Sequence, residues 1–154
     1  MGIKVKTVIG INAKAKVISH ARTDVDIRDL TVTIDEPLAR GGTNLGASPT
    51  ETIAVALAGC LSVVSHRIAD SLQIDLKEMS IDVAAKFDRR GVMLVEEIDI
   101  PFPEMDVNIQ ITTNSASTDK VEQLKSDLHK FCPVSKMIRQ SGTVLNENWD
   151  VTYV

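Results

Sequence analysis

The sequence predicts an α+β fold, with strands and helices in blocks rather than in strict alternation. Period-two runs of apolar and polar residues recur at 3–9, 14–18, 30–34, 81–87, 92–98, 107–111 and 149–154. Helical patterns occupy an uncharged stretch from Thr52 to Ser65 and two later segments, Thr118 to Phe131 and Pro133 to Gln140. The order is three strands, a helix, three strands, two helices and a strand. That order favours mostly antiparallel sheets in one domain spanning residues 1–154. With 154 residues, 44% of them hydrophobic and 25% charged, the chain can bury a real core.

The first two runs, 3–9 and 14–18, flank Gly10-Ile11-Asn12 and read as a hairpin, and Leu30–Ile34 reads as a third strand rich in β-branched residues. A loop from Asp35 to Gly46 follows, with Pro37, three glycines and one arginine, Arg40. Ser48-Pro49-Thr50-Glu51 then starts the first helix. Ser48 suits the cap, Pro49 the first helical position, and Glu51 completes a capping box. The helix is apolar all round with small residues at Ala54, Ala56, Ala58 and Gly59, the pattern of a buried helix. Its uncharged run is too short to cross a bilayer.

Asp88-Arg89-Arg90-Gly91 reads as the turn of a hairpin between strands 81–87 and 92–98. Pro101-Phe102-Pro103 interrupts the chain before the strand at 107–111. In the second helix, Val121, Leu124, Leu128 and Phe131 recur at spacings of three and four and mark an inward face. Pro133 breaks that helix and opens the third, which ends near Gly142. Trp149–Val154 closes the chain as a strand.

A formal charge of −4 and a pI near 5.3, with 3% aromatic residues, speak against a nucleic-acid or anionic-membrane partner. The first residues alternate charge with apolar side chains and lack a signal-peptide core, and Lys6 stands where a myristoylation motif needs Ser or Thr. A cytoplasmic location is expected. The Gly41–Gly46 loop lacks the Gly-Lys-Ser/Thr ending of a phosphate loop. Zinc spacing is poor, because neither His129 with Cys132 nor Cys60 with His66 forms a C-x-x-C pair.

Chemistry then rests on two cysteines, Cys60 and Cys132, which are either two buried core thiols or a redox couple. Cys132 falls at the N-cap of the third helix, where backbone amides and the helix dipole favour a thiolate. Cys60 lies inside an apolar helix, which disfavours a thiolate, so a nucleophilic role there needs an imported cation. Arg40 is the nearest candidate in sequence and Arg22 the second. Arginine suits the task because it stays protonated at any working pH. Glu51 either orients that arginine or only closes the capping box.

Taken together, Gly46-Ala-Ser-Pro-Thr-Glu51, Ala58-Gly59-Cys60 and Cys132-Pro-Val-Ser-Lys136 closely resemble the OsmC/Ohr family, the osmotically inducible and organic-hydroperoxide-resistance proteins. The resemblance covers nearly the whole chain. It implies an intertwined homodimer around long buried helices, and a thiol peroxidase that needs no metal, haem or flavin. It makes Cys60 the peroxide-attacking residue, Cys132 the resolving one and Arg40 the activating arginine. The Ohr branch would point nearer Arg22. In the peroxidase branches the glutamate directly follows the proline; here Thr50 intervenes, turning Glu51 by about 100° about the helix. The Ser-Pro-x-Glu form resembles a broader OsmC-like branch.

The expected reaction is reduction of an organic hydroperoxide through a Cys60 sulfenic acid and a Cys60–Cys132 disulfide. An external dithiol, thioredoxin-like or lipoyl, recycles it. The competing expectation is a non-catalytic OsmC-like dimer that senses redox state or binds a small molecule.

Overall fold

The computed structural model describes residues 6–114 and 118–154. The chain divides into two compact units, Met1–Thr52 and Ile53–Val154.

In the first unit, β1 (Lys14–Val17), β2 (Thr23–Ile27) and β3 (Leu30–Ile34) form an antiparallel meander in that order. The partner of β1 is β2, which the apolar pattern does not reveal. Asp24 and Asp26 stand opposite Thr33 and Thr31 across the β2–β3 pair. There they accept hydrogen bonds from the two hydroxyls at 3.0 and 2.7 Å, so charge here marks a cross-strand face rather than a loop. The tight β2–β3 turn also lacks glycine, Arg28 taking the positive φ of 57°. Of the expected strand at 3–9, residues 6–9 are not in a strand and 3–5 lie outside the described residues.

Helix α1 runs from Pro49 to Leu72, 24 residues, so it starts in the first unit and continues into the second. It is long and apolar enough to cross a membrane by length and composition, which corrects the argument from the short uncharged run. Its burial is confined to one face. Leu57, Leu61, Ser65, Ile68 and Ala69 face inward, while Val55, Gly59 and Val63 on the opposite side are exposed. Within the single chain the helix therefore buries one face, not all of its surface.

That inward face joins one apolar core with alternate residues of β5 (Glu104–Thr113) and with Val121, Leu124 and Leu128 of α2 (Thr118–Phe131). Helix α3 (Pro133–Gln140) adds Ile138. The sheet order is β4 (Leu76–Lys86), β5, β6 (Val144–Tyr153). The β4–β5 pair is antiparallel, but β5–β6 is parallel, because α2 and α3 carry the chain back across the sheet. The second sheet is thus mixed rather than antiparallel throughout.

The expected strand at 92–98 does not form. Backbone bonds from Met93 to Arg89, Leu94 to Gly91 and Val95 to Arg90 fold this segment into consecutive turns, and Leu94 adopts a positive φ of 58°. Four of its five apolar residues, Val92 to Val95, are exposed, and β4 pairs instead with the longer β5. Phe131, expected in the core, is 64% exposed; Cys132 takes the inward position one turn after Leu128 and is fully buried.

Ser65 is the polar residue of the α1 core face, and its hydroxyl has no hydrogen-bond partner among the described residues. An unsatisfied buried hydroxyl costs about 1–3 kcal/mol. Ser65→Ala is therefore expected to raise stability by about 1 kcal/mol, read as a higher midpoint in thermal unfolding; a lower midpoint would mean that the hydroxyl is satisfied in solution.

Candidate active site

The two cysteines, 72 positions apart in the chain, meet. Cys132 Sγ lies 3.2 Å from Cys60 Sγ, and both are free thiols. Local rules bring each there. Leu57 and Leu61 anchor the α1 turns on either side of Cys60, which leaves it half-buried at the edge of the inward face. Cys132 ends α2 and caps α3: its amide donates to the Leu128 carbonyl and its carbonyl accepts from the Lys136 amide, both at 3.0 Å. Pro133 fixes the change of direction between the two helices.

The thiols differ in environment. Cys132 makes no side-chain cap on α3, so the expected thiolate-favouring geometry is not realised. Burial pushes its thiol up to about 11, and the neighbouring Cys60 adds to this, while the Ser135 and Val134 amides oppose it only in part. This reverses the sequence expectation that the helix dipole would lower it. Desolvation in a packed core outweighs a helix end whose first residue is proline.

Cys60 opens onto a groove of about 790 Å³. Val63, Val64 and Ile68 of α1 form one wall, and Phe131 with Pro133 the other. Two charged residues, Arg67 and Asp127, also line it. The Asp127 carboxylate is engaged by Gln123 at 2.8 Å and Lys130 at 3.1 Å, which hold it below the usual carboxylate range. Hydropathy periodicity cannot reveal such a groove, because Phe131 reads as a core residue by its spacing. Among the described residues no three His, Cys, Asp or Glu side chains gather as metal ligands.

Arg40, Arg22 and Glu51 belong to the first unit. Arg40 ends a short 3-10 turn, Leu38–Arg40, and its Nε lies 2.5 Å from Glu36 Oε2, with the side chain about half exposed (49%). Arg22 is forked onto Asp24, each of two nitrogens 3.1 Å from a carboxylate oxygen. The Glu51 carboxylate accepts the Ser48 amide at 2.8 Å, and the Glu51 amide reaches back to Ser48 Oγ at 3.4 Å. These bonds close the capping box. Ser48, with a smaller contribution from the charge of Arg40, holds Glu51 below its usual range.

The loop carrying Arg40 is organised by Asp35, which sequence reading passed over. Asp35 is fully buried and accepts four kinds of bond: the Glu36 amide at 2.9 Å, the Thr43 amide at 3.1 Å, the Thr43 hydroxyl at 2.5 Å and the Leu45 amide at 3.0 Å. The Thr43 hydroxyl leads in lowering its pKa to about 2. Glycine is required where the loop closes: a Cβ at Gly42 would fall 1.8 Å from the Glu36 carbonyl oxygen, and one at Gly46 2.1 Å from that of Thr33. An aspartate at the start of a glycine-rich loop is a signal for such a clasp.

Comparison with known proteins adds a context. A family model described as OsmC-like protein matches residues 42–148. The organic hydroperoxide resistance protein OhrB of Bacillus subtilis is 22% identical over 129 residues, covering 84% of this chain and 88% of that protein. The crystal structure of an OsmC-like protein from Mycoplasma pneumoniae superposes with a TM-score of 0.78 at 15% identity, over 94% of this chain and 99% of that one. A Legionella pneumophila structure described as an organic hydroperoxide resistance protein OsmC gives 0.62 at 19% identity, over 96% of this chain and 99% of that one.

Proposed function

The chain belongs to the OsmC-like family, and on that premise we propose that it is a cysteine-based thiol peroxidase that reduces organic hydroperoxides. The observation that carries the reading is the thiol pair: two free sulfurs 3.2 Å apart, one of them opening onto an apolar groove. The relatives named for hydroperoxide resistance support a role in peroxide resistance.

In this reading the Cys60 thiolate attacks the distal peroxide oxygen. An S–O bond forms, the O–O bond breaks, and the alkoxide leaves and takes a proton from water as the alcohol. Cys132 then attacks the sulfenic sulfur, forming the disulfide and releasing water. An external dithiol, thioredoxin-like or lipoyl, reduces the disulfide. Arg40 is the activating arginine and Glu51 its neighbour, with Arg22 the other candidate. Arg40 has one half-exposed ion pair and sits on a clasped loop, whereas Arg22 is committed to Asp24 by two bonds. The reading treats residues 1–154 as one OsmC-like domain in a cytoplasmic homodimer. The exposed small and apolar residues Val55, Gly59 and Val63 of α1 suit packing against a second copy.

A second reading, a redox-sensing or small-molecule-binding dimer without turnover, is favoured by the commitment of Glu51 to the capping box. Steady-state consumption of cumene hydroperoxide with dithiothreitol distinguishes the two. Turnover is expected, with kcat/KM lowered at least about tenfold by Arg40→Gln and under about twofold by Arg22→Gln. Reactive thiols without turnover would move the assignment to the sensing or binding reading.

A further inference from the structure

The paired sulfurs sit in unequal surroundings. Cys132 has no exposed surface and is packed in the core with Leu124, Leu128 and Ile138, whereas Cys60 is half-buried and faces the groove. A pair of thiols at 3.2 Å holds one hydrogen between the two sulfurs, so one of them must be the donor. The negative charge of an ionised pair belongs on the sulfur that water and the groove can reach, because a charge on the enclosed sulfur bears the larger desolvation penalty. The enclosed sulfur keeps the proton.

We propose that Cys132 acts first as the hydrogen-bond donor that holds Cys60 as the nucleophilic thiolate, before it acts as the resolving residue. This deepens the peroxidase reading of the site and rests on it for the reaction, though not for the state of the thiols. In the ionised pair the arrangement is Cys60–S⁻···H–S–Cys132. When the peroxide oxidises Cys60 to the sulfenic acid, the hydrogen bond loses its anionic acceptor. The Cys132 sulfur then forms the S–S bond as the S–O bond breaks, and its proton leaves with the hydroxyl as water. One residue thus activates the nucleophile and later consumes its product. The other ionisable groups lining the groove are Arg67 of α1 and the ion-paired Asp127 of α2.

The test compares Cys132→Ser with Cys132→Ala. Both remove the resolving sulfur, but only serine keeps a donor. Alkylation of Cys60 by iodoacetamide is followed from pH 5 to 10, with thermal midpoints measured in parallel to confirm that both variants fold. Cys132→Ala is expected to react about tenfold more slowly than Cys132→Ser at pH 7, with its alkylation midpoint about one pH unit higher. In the wild type, peptide mapping should find Cys60 labelled before Cys132. Equal rates and midpoints in the two variants, or first labelling at Cys132, would overturn the proposal. The same wild-type protein assayed with cumene hydroperoxide separates the two ideas. Ordered alkylation without turnover would remove the peroxidase reading and leave the donor role standing, and turnover without the serine–alanine difference would do the reverse.

Discussion

Cys60→Ser is expected to lower hydroperoxide reduction at least about a thousandfold, about 4 kcal/mol of transition-state stabilisation. The reacting species is a thiolate, and a serine hydroxyl at the same position neither ionises at neutral pH nor forms a sulfur–oxygen intermediate. The structural consequences of the substitution are small by comparison. Cys60 is half-buried at the edge of the core, so the loss of one sulfur leaves the anchors Leu57 and Leu61 in place, and the thermal midpoint should move by only a few degrees. The control is Cys132→Ser, in which a sulfenic acid still forms on Cys60 but has no protein thiol to condense with. Its mass should rise by one oxygen after one equivalent of hydroperoxide, and Cys60→Ser should show no such increment. A Cys60→Ser protein that kept more than a tenth of the wild-type rate would exclude Cys60 as the nucleophile.

Both cysteines, the capping box and the three helices were legible because each depends on local chemistry. Ser48 and Glu51 are three residues apart whatever the rest of the chain does, and Pro133 both stops α2 and opens α3. The strands were harder. In β2, Asp24 and Asp26 face threonines that lie nine and five positions away, so the residues that most resemble loop in the sequence are those that bind one strand to the next. The segment at 92–98 errs in the opposite sense, apolar enough for a strand yet folded into turns because β4 has the ten-residue β5 to pair with. The environment of Cys132 is not legible in the sequence for a related reason. A helix start is visible in sequence, but the burial of Cys132 in the core cluster that also holds Leu124, Leu128 and Ile138 depends on tertiary structure. Desolvation overrides the local dipole there.

Asp35→Asn is expected to loosen the loop that carries Arg40, and the effect has a pH signature that identifies its cause. Asp35 accepts bonds from three backbone amides and one hydroxyl, and an asparagine presents one acceptor oxygen and an amide that is itself a donor. At pH 7 the variant should melt several degrees below wild type. The pKa of Asp35 is lowered in the folded protein from an ordinary 3.8 to about 2, so its stabilising contribution is fully present above the ordinary value. That contribution is lost as the pH falls from about 4 toward 2, where the folded-state carboxylate also takes up a proton. The melting difference between wild type and Asp35→Asn should therefore be constant from pH 7 to 5 and shrink below pH 4. A difference that persisted unchanged at pH 2.5 would assign the effect to packing rather than to the carboxylate. The functional arm follows from the role proposed for Arg40. Asp35→Asn should lower kcat/KM in the same direction as Arg40→Gln, and the double variant should lose little more than Arg40→Gln alone, because a clasp that acts by placing Arg40 has nothing to place once the guanidinium is gone. Additive losses would separate the clasp from the arginine and make Asp35 a purely structural residue.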